Sequence, residues 1–357
     1  MRALCGTLAA AAAAAAAVAA GCGGNGDTAP AETAAATTTA TATTEARTVP
    51  PTTAAAAPVE LELTTVLEGL ETPWALAWDR DGTLWVTERP GRLRSERGDV
   101  REIAGVVEAG EAGLMGLEID DRGRFLLMYT AADENRVVRL APDGTQTTLV
   151  DGIPAGVIHD GGRIRLASDG TLFVGTGDAG RPELAPDPES RAGKVLRVEP
   201  GGAVRIHSRG HRNVQGLCFA PDGRLFRTEH GPDVGDEIAL VEEGGDAGWP
   251  ESVGDGLRSY TPTIAPAGCA FYDADLIPQW QGSLLFVTLK DQSLRRLELD
   301  GDRVVEEEVL YAGELGRLRD VRVGPDGAVY VATSNRDGRG TPSAADDRVV
   351  RIAPAGG

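Results

Sequence analysis

A chain of 357 residues can hold one large domain or two ordinary ones. Its 47 glycines and only 4% aromatic residues argue for many short strands joined by tight turns rather than a helical bundle. The formal net charge of −19 excludes nucleic-acid binding, which needs a basic surface to meet phosphates, and makes any local gathering of Lys and Arg informative.

The first residues, MRALCGTLAAAAAAAAAVAAGCGG, carry one early Arg, an apolar run from Leu8 to Ala20 and small residues leading into Cys22. This is the pattern of an export signal over residues 1–21, too short for a comfortable membrane span. Ala19-Ala20-Gly21-Cys22 is similar to a bacterial lipobox, so Cys22 is expected to be lipidated, with simple secretion as the alternative. The expected location is the cell envelope, at the outer face of the cytoplasmic membrane or in the periplasm, with membrane contact only through that lipid. Residues 22–57 are almost entirely Ala, Thr, Pro, Gly and Glu, which cannot bury enough apolar surface to offset ordering entropy, and read as a disordered tether. The globular body is residues 58–357. Its two cysteines, Cys218 and Cys269, sit in the apolar stretches GLCFA and AGCAF and read as buried free thiols. A bridge between them is the alternative in an oxidising compartment.

Along the body one unit recurs: an alternating strand, a turn with Asp and Gly, and a second alternating strand. The copies span 75–88, 116–130, 163–176, 216–229, a degenerate 271–288 that turns near Gln281-Gly282, and 320–333. Asp81, Asp121, Asp169, Asp222 and Asp326 mark the other five turns. Most copies are followed by a third strand of alternating basic and apolar residues, such as GKVLRVEP. Six units at a spacing of about 40 to 60 residues predict an all-β, six-bladed propeller of four-stranded antiparallel blades. Period-two alternation assigns Leu76, Trp78, Leu84, Val86, Leu172, Val174, Leu217, Phe219, Leu225, Val323, Val329 and Val331 to the blade interiors.

Chemistry-bearing residues fall in the loops between these strands. The chain has four histidines. His207 and His211 are spaced as metal ligands on a helix, but Gly210 and the following strand pattern argue against a helix there. His230 flanks the Gly231-Pro232 turn, and His159 precedes Asp160-Gly161-Gly162 at the mouth of a blade. Arg212 and Asn213 offer a planar cationic fork and an amide suited to carboxylates or carbonyls. Gly231-Pro232 can turn two main-chain carbonyls toward a hard cation.

The segments PWALAW, GEAGLMGL, HDGGRIRL, GTGDAG, AGKVLRV, RGHRNVQG, TEHGPDVGDE, GWP, TLKDQSL and GRLRDVRVGPDG stand in one order from about Leu70 to Pro354. Together they resemble the soluble quinoprotein sugar dehydrogenases, the pyrroloquinoline quinone (PQQ)-dependent glucose and aldose dehydrogenase family. The resemblance implies the same six-bladed propeller, PQQ and Ca2+ as cofactors, and an aldose oxidised at its anomeric carbon to a lactone, with electrons passing to an unidentified acceptor. It implies His159 as general base, a role suited to an imidazole, with Asp178 as the carboxylate that orients it. Glu111, His159, Arg212, Asn213, Lys290, Arg317 and Arg319 match positions that hold the cofactor, and Arg212 is further expected to polarise the quinone carbonyl. For calcium, Gly231 and Pro232 supply carbonyls beside the cofactor, while Glu237 and the Ala247 carbonyl form a second, structural site. Two departures stand out: Asp160 follows the histidine where the family usually has Asn, and Asp246-Ala247 replaces the common Asn-Tyr before Gly-Trp. They keep open a second reading, a propeller that binds a ligand or protein partner at the cell envelope without turnover. A calcium-dependent lactonase would need a ring of metal-binding carboxylates and Asn in the channel, which the sequence does not assemble. With no long insertion to close the pocket over one monosaccharide, broad aldose specificity is expected.

Overall fold

A computed structural model describes residues 59–356, so the export signal, the tether and the lipidation expected at Cys22 lie outside the described residues. The described residues form six sheets arranged as the blades of a propeller. Each predicted unit becomes the inner strand pair of one blade. Unit 75–88 supplies Pro73–Trp78 and Leu84–Glu88 of blade 1, and unit 216–229 supplies Val214–Phe219 and Leu225–Glu229 of blade 4. The basic-apolar segments form the third strands, Lys194–Val198 in blade 3 among them. Alternation dictates this outcome, because alternate side chains of a strand must be covered by the neighbouring blade. Leu76, Leu84, Val86 and Val329 are accordingly fully buried. Trp78, Phe219 and Val323 remain half-buried where the inner strands end, at the channel mouth opposite the loops described below.

The Asp-Gly turns form where expected, but in the first two units the carboxylate that ties the turn stands one or two residues earlier. Asp79 Oδ1 accepts the N–H groups of Asp81 and Thr83, and Asp120 Oδ1 those of Arg122 and Arg124. The degenerate fifth unit closes through a short 3-10 turn at Pro278–Trp280.

Two features escaped the repeat pattern. Leu61–Leu67 is the outermost strand of blade 6, pairing with Val349–Pro354 in antiparallel register from Leu61↔Pro354 to Leu67↔Val349, so the two ends of the body close the ring together. Blade 3 has five strands rather than four: Gly245–Asp246 joins it parallel to Ser208–Arg209. This segment follows the third strand of blade 4, and its excursion back to blade 3 carries Trp249 with it, tied by its N–H to the Gly210 carbonyl at 3.0 Å.

The free-thiol reading of the cysteines is overturned: Cys218 and Cys269 form a disulfide, their Cα atoms 5.7 Å apart. Both lie on innermost strands, of blades 4 and 5, which pack side by side. That adjacency is tertiary and leaves no trace in the local apolar context of either residue. The bond closes a separation of 51 residues, for which chain entropy gives about 4 kcal/mol. Reduction, or Cys218→Ala with Cys269→Ala, is therefore expected to lower the melting temperature of the folded body by several degrees in scanning calorimetry; an unchanged transition would show that the bridge adds nothing to stability.

Inside the channel, Arg163 and Asp320 are almost wholly buried and pair at 3.0 Å, and Asp320 Oδ2 accepts the Leu76 N–H. The Arg163 guanidinium lies 4.3 Å from the Trp74 ring centroid and that of Arg319 5.7 Å from it. This stack fills the channel between its two mouths.

Candidate active site

In a four-stranded antiparallel blade, the start of the first strand and the end of the second lie on one face of the propeller. Glu111, His159, Arg212 and Arg317 precede or open inner strands, while Asp178, Gly231 and Lys290 follow second strands. Topology thus gathers residues from five blades at one channel mouth.

His159 sits in the left-handed region at φ 60, followed by Gly161 and Gly162, also at positive φ. Its neighbour across the loop is Gly177, where an added Cβ would lie 1.9 Å from the His159 carbonyl oxygen. Only glycine allows that approach. The approach sets His159 Nδ1 2.8 Å from Asp178 Oδ1, which also accepts the Gly180 N–H, while Asp178 Oδ2 accepts the Trp249 indole N–H at 2.9 Å. A fully buried carboxylate saturated in this way fixes Nδ1 as the protonated nitrogen and leaves Nε2 as the basic one.

Beside the histidine lies a pocket lined by Glu111, Asp160, Asn213, His230, Arg319 and Trp74, among others. Glu111 Oε2 accepts the His159 backbone N–H at 3.1 Å and Oε1 pairs with Arg339 at 2.7 Å. Burial raises the Glu111 pKa, but these two partners outweigh it and hold the carboxyl below its ordinary value. Burial pushes the His230 imidazole down to about 4, so it is neutral near pH 7, and its buried Nε2 has no partner among the described residues. Asn213 Oδ1 accepts the N–H of Gly161 and an amide N–H of Gln215.

The expected cations differ in how freely they can serve a ligand. Arg319 is buried and donates from Nη1 to Gln215 Oε1 at 2.7 Å, but its Nε is orphaned and it forms no ion pair among the described residues. Burial pushes its pKa down to about 10. Arg317 is already satisfied by Asp337, through two bonds at 2.7 and 2.9 Å, and by the Leu289 carbonyl. Lys290 is exposed, with no side-chain hydrogen bond among the described residues. Arg212 stacks 5.4 Å from the Trp249 ring centroid and donates to the carbonyls of His230 and Gly231, at 3.2 and 2.6 Å. Its backbone N–H is held by the buried Glu229.

The family-model comparison matches residues 70–341 to the glucose/sorbosone dehydrogenases. The chain belongs to that family. Its fold superposes with a TM-score of 0.75 on the PQQ-bound aldose sugar dehydrogenase of Streptomyces coelicolor, at 33% identity over 83% of this chain and 99% of that one. Similar curated proteins include an uncharacterized protein of Synechocystis, 32% identical over 78% of this chain and 85% of its own length. An aldose sugar dehydrogenase of Escherichia coli is 29% identical over 79% and 92%.

The calcium donors expected from the sequence divide into two cases. The Gly231 carbonyl faces Arg212 and is a hard oxygen donor beside the pocket, on a loop braced by Asp236, whose Oδ1 accepts the Gly231 N–H and whose Oδ2 accepts three donors from Thr263 to Ala265. Pro232 follows, exposed. For the second site, Glu237 Oε1 accepts from the Arg227 guanidinium at 2.8 Å, with Arg227 also 3.2 Å from Glu229, and burial nevertheless pushes the Glu237 carboxyl up to about 7. Ala247 is tied to the edge of blade 3 through its N–H to the Arg209 carbonyl. Among the described residues no three His, Cys, Asp or Glu side chains gather as a metal site.

Trp249, Gln215 and Arg339 received no role from the sequence. Trp249 lay in a quoted motif, but its indole reaches Asp178 only through the excursion to blade 3. Arg339 lies in a Gly-rich loop with no local signal.

Proposed function

We propose that the chain is a PQQ- and calcium-dependent dehydrogenase that oxidises the anomeric carbon of aldoses to lactones. The observation that carries this reading is the His159–Asp178–Trp249 relay, its basic Nε2 beside a pocket holding a buried arginine without a counter-ion. PQQ, when bound, supplies a two-electron acceptor for the hydride of the sugar carbon. The residues present suit its three carboxylates: Arg319 with an orphaned donor, Lys290 unengaged at the rim, and the Arg212 fork beside the Asn213 amide. Arg317 contributes positive potential while its donors stay on Asp337 and Leu289. The carbonyls of Gly231 and Pro232 would hold calcium, which supplies Lewis acidity there.

His159 Nε2 takes the proton of the anomeric hydroxyl, and Asp178 stabilises the imidazolium that forms. Trp249 shields that carboxylate from water, and Glu111 fixes the backbone of the base. Arg212 polarises the acceptor carbonyl of the cofactor. The absence of long insertions supports broad aldose specificity. The disulfide and the signal-like first residues support export, with lipidation at Cys22 and an electron acceptor in the cell envelope.

The test is dye-linked oxidation of a panel of aldoses by the purified protein, before and after adding PQQ and calcium. Activity needing both is expected. Calcium alone tests the second site expected at Glu237 and the Ala247 carbonyl: a raised melting temperature of the PQQ-free protein supports it, and an unmoved one overturns it. PQQ binding without turnover on any aldose would favour the non-catalytic propeller, and strong preference for one sugar would overturn broad specificity.

A further inference from the structure

Asp160 is buried, with a relative exposure of 2%, and lines the same pocket. Its Oδ1 is satisfied twice, by Asn135 Nδ2 at 2.8 Å and the Gly156 N–H at 2.9 Å. Its Oδ2 is buried and has no hydrogen-bond partner among the described residues. A buried carboxylate oxygen without a donor is costly, and protonation is the ordinary way to relieve it. The charged and titratable groups around it do not supply a donor. His159 is turned to Asp178, and Glu111 adds negative charge. His230 is neutral near pH 7, Arg319 is held by Gln215 and Arg339 by Glu111. Burial dominates over the two donors on Oδ1 and pushes the Asp160 carboxyl up to about 6.

A ligand bearing several carboxylates adds negative charge to this wall. A second anion facing it in a low-dielectric pocket raises the carboxyl further. We propose that Asp160 takes up one proton from solvent as the anionic cofactor enters the pocket, and faces the bound cofactor as a neutral acid whose Oδ2–H donates a hydrogen bond. This rests on the functional reading above, in which PQQ occupies the pocket. Asp160 is then a positioning residue that makes cofactor capture proton-linked: above the pKa of the free protein, each unit of pH weakens binding by up to about tenfold.

The experiment is PQQ affinity by isothermal calorimetry from about pH 6 to 8, in buffers of different ionisation enthalpy, for the full protein and for Asp160→Asn. The asparagine keeps the amide-sized shape and an acceptor for Asn135 but cannot titrate. The wild type should lose affinity steeply across that range and take up close to one proton more than the variant near neutral pH, while the variant binds with a much shallower slope. Equal slopes and equal proton uptake in the two proteins overturn the inference while leaving PQQ binding intact. Absence of PQQ binding to the wild type sinks both it and the functional reading. Should Asp160→Asn fail to fold, infrared difference spectra of wild-type protein carrying isotope-labelled aspartate decide instead. A new protonated-carboxyl band on PQQ binding supports the inference, and its absence overturns it.

Discussion

Asp178→Asn is expected to lower kcat for aldose oxidation by about three to four orders of magnitude, as loss of the orienting carboxylate does in other His-based sites. PQQ affinity should be nearly unchanged. Both Asp178 oxygens face donors: Oδ1 receives His159 Nδ1–H and the Gly180 N–H, and Oδ2 the Trp249 indole. An amide cannot satisfy all three. With its oxygen toward the imidazole, its NH2 meets the indole N–H; reversed, its NH2 faces Nδ1. The reversed form drives the proton of the neutral imidazole to Nε2, the nitrogen that must accept the substrate proton. His159→Ala, which removes the base outright, should cost about 10²- to 10⁴-fold. Trp249→Phe, which removes one of three donors, should cost much less. Nitrogen NMR of the histidine gives a readout that a merely structural role would not move, because the tautomer should switch in Asp178→Asn. Activity within tenfold of wild type with an unchanged tautomer would show that Asp178 does not orient the base.

The relay also shows what the sequence could and could not yield. Strand alternation and the Asp-Gly turns are local, so six blades, their inner strands and the face carrying the loops were all legible. His159 and Asp178 were found through motif resemblance, 19 residues apart, because each belongs to the blade 3 hairpin that the pattern itself delimits. The contact of Trp249 with Asp178 spans 71 residues and depends on a two-residue parallel strand too short to leave a periodic signal. The disulfide was missed for the same physical reason: pairing between inner strands of different blades is set by the closure of the ring. Counter-ions were equally hidden. Arg317 and Arg319 read as equivalent in GRLRDV, yet Asp337 claims one and leaves the other with no ion pair among the described residues. Arg227, in an ordinary strand segment, gave no hint that it would pair with Glu237.

That contrast between Arg317 and Arg319 yields the second large expectation. Arg319→Met should weaken PQQ binding by about ten- to a hundredfold, the worth of a lost hydrogen bond to a charged group, while raising the melting temperature of the cofactor-free protein. The two effects share one cause. Arg319 is a buried cation with an orphaned Nε and no ion pair among the described residues, and burial lowers its pKa to about 10. A base whose folded pKa lies below its unfolded value is a cost to folding. That cost is fully present below about pH 10 and declines only as pH rises above it. At neutral pH the free protein therefore carries it in full, and an anionic cofactor that meets the guanidinium relieves it. Methionine fills a similar volume beside Trp74 without the charge, which removes the cost together with the binding contact. Arg317→Met should behave in the opposite sense, losing stability because it strands the buried Asp337 carboxylate. Calorimetric melting and PQQ titration of the two variants side by side check the pair of outcomes. If Arg319→Met destabilises the free protein as Arg317→Met does, Arg319 serves the fold and is not the cation kept in reserve for the ligand.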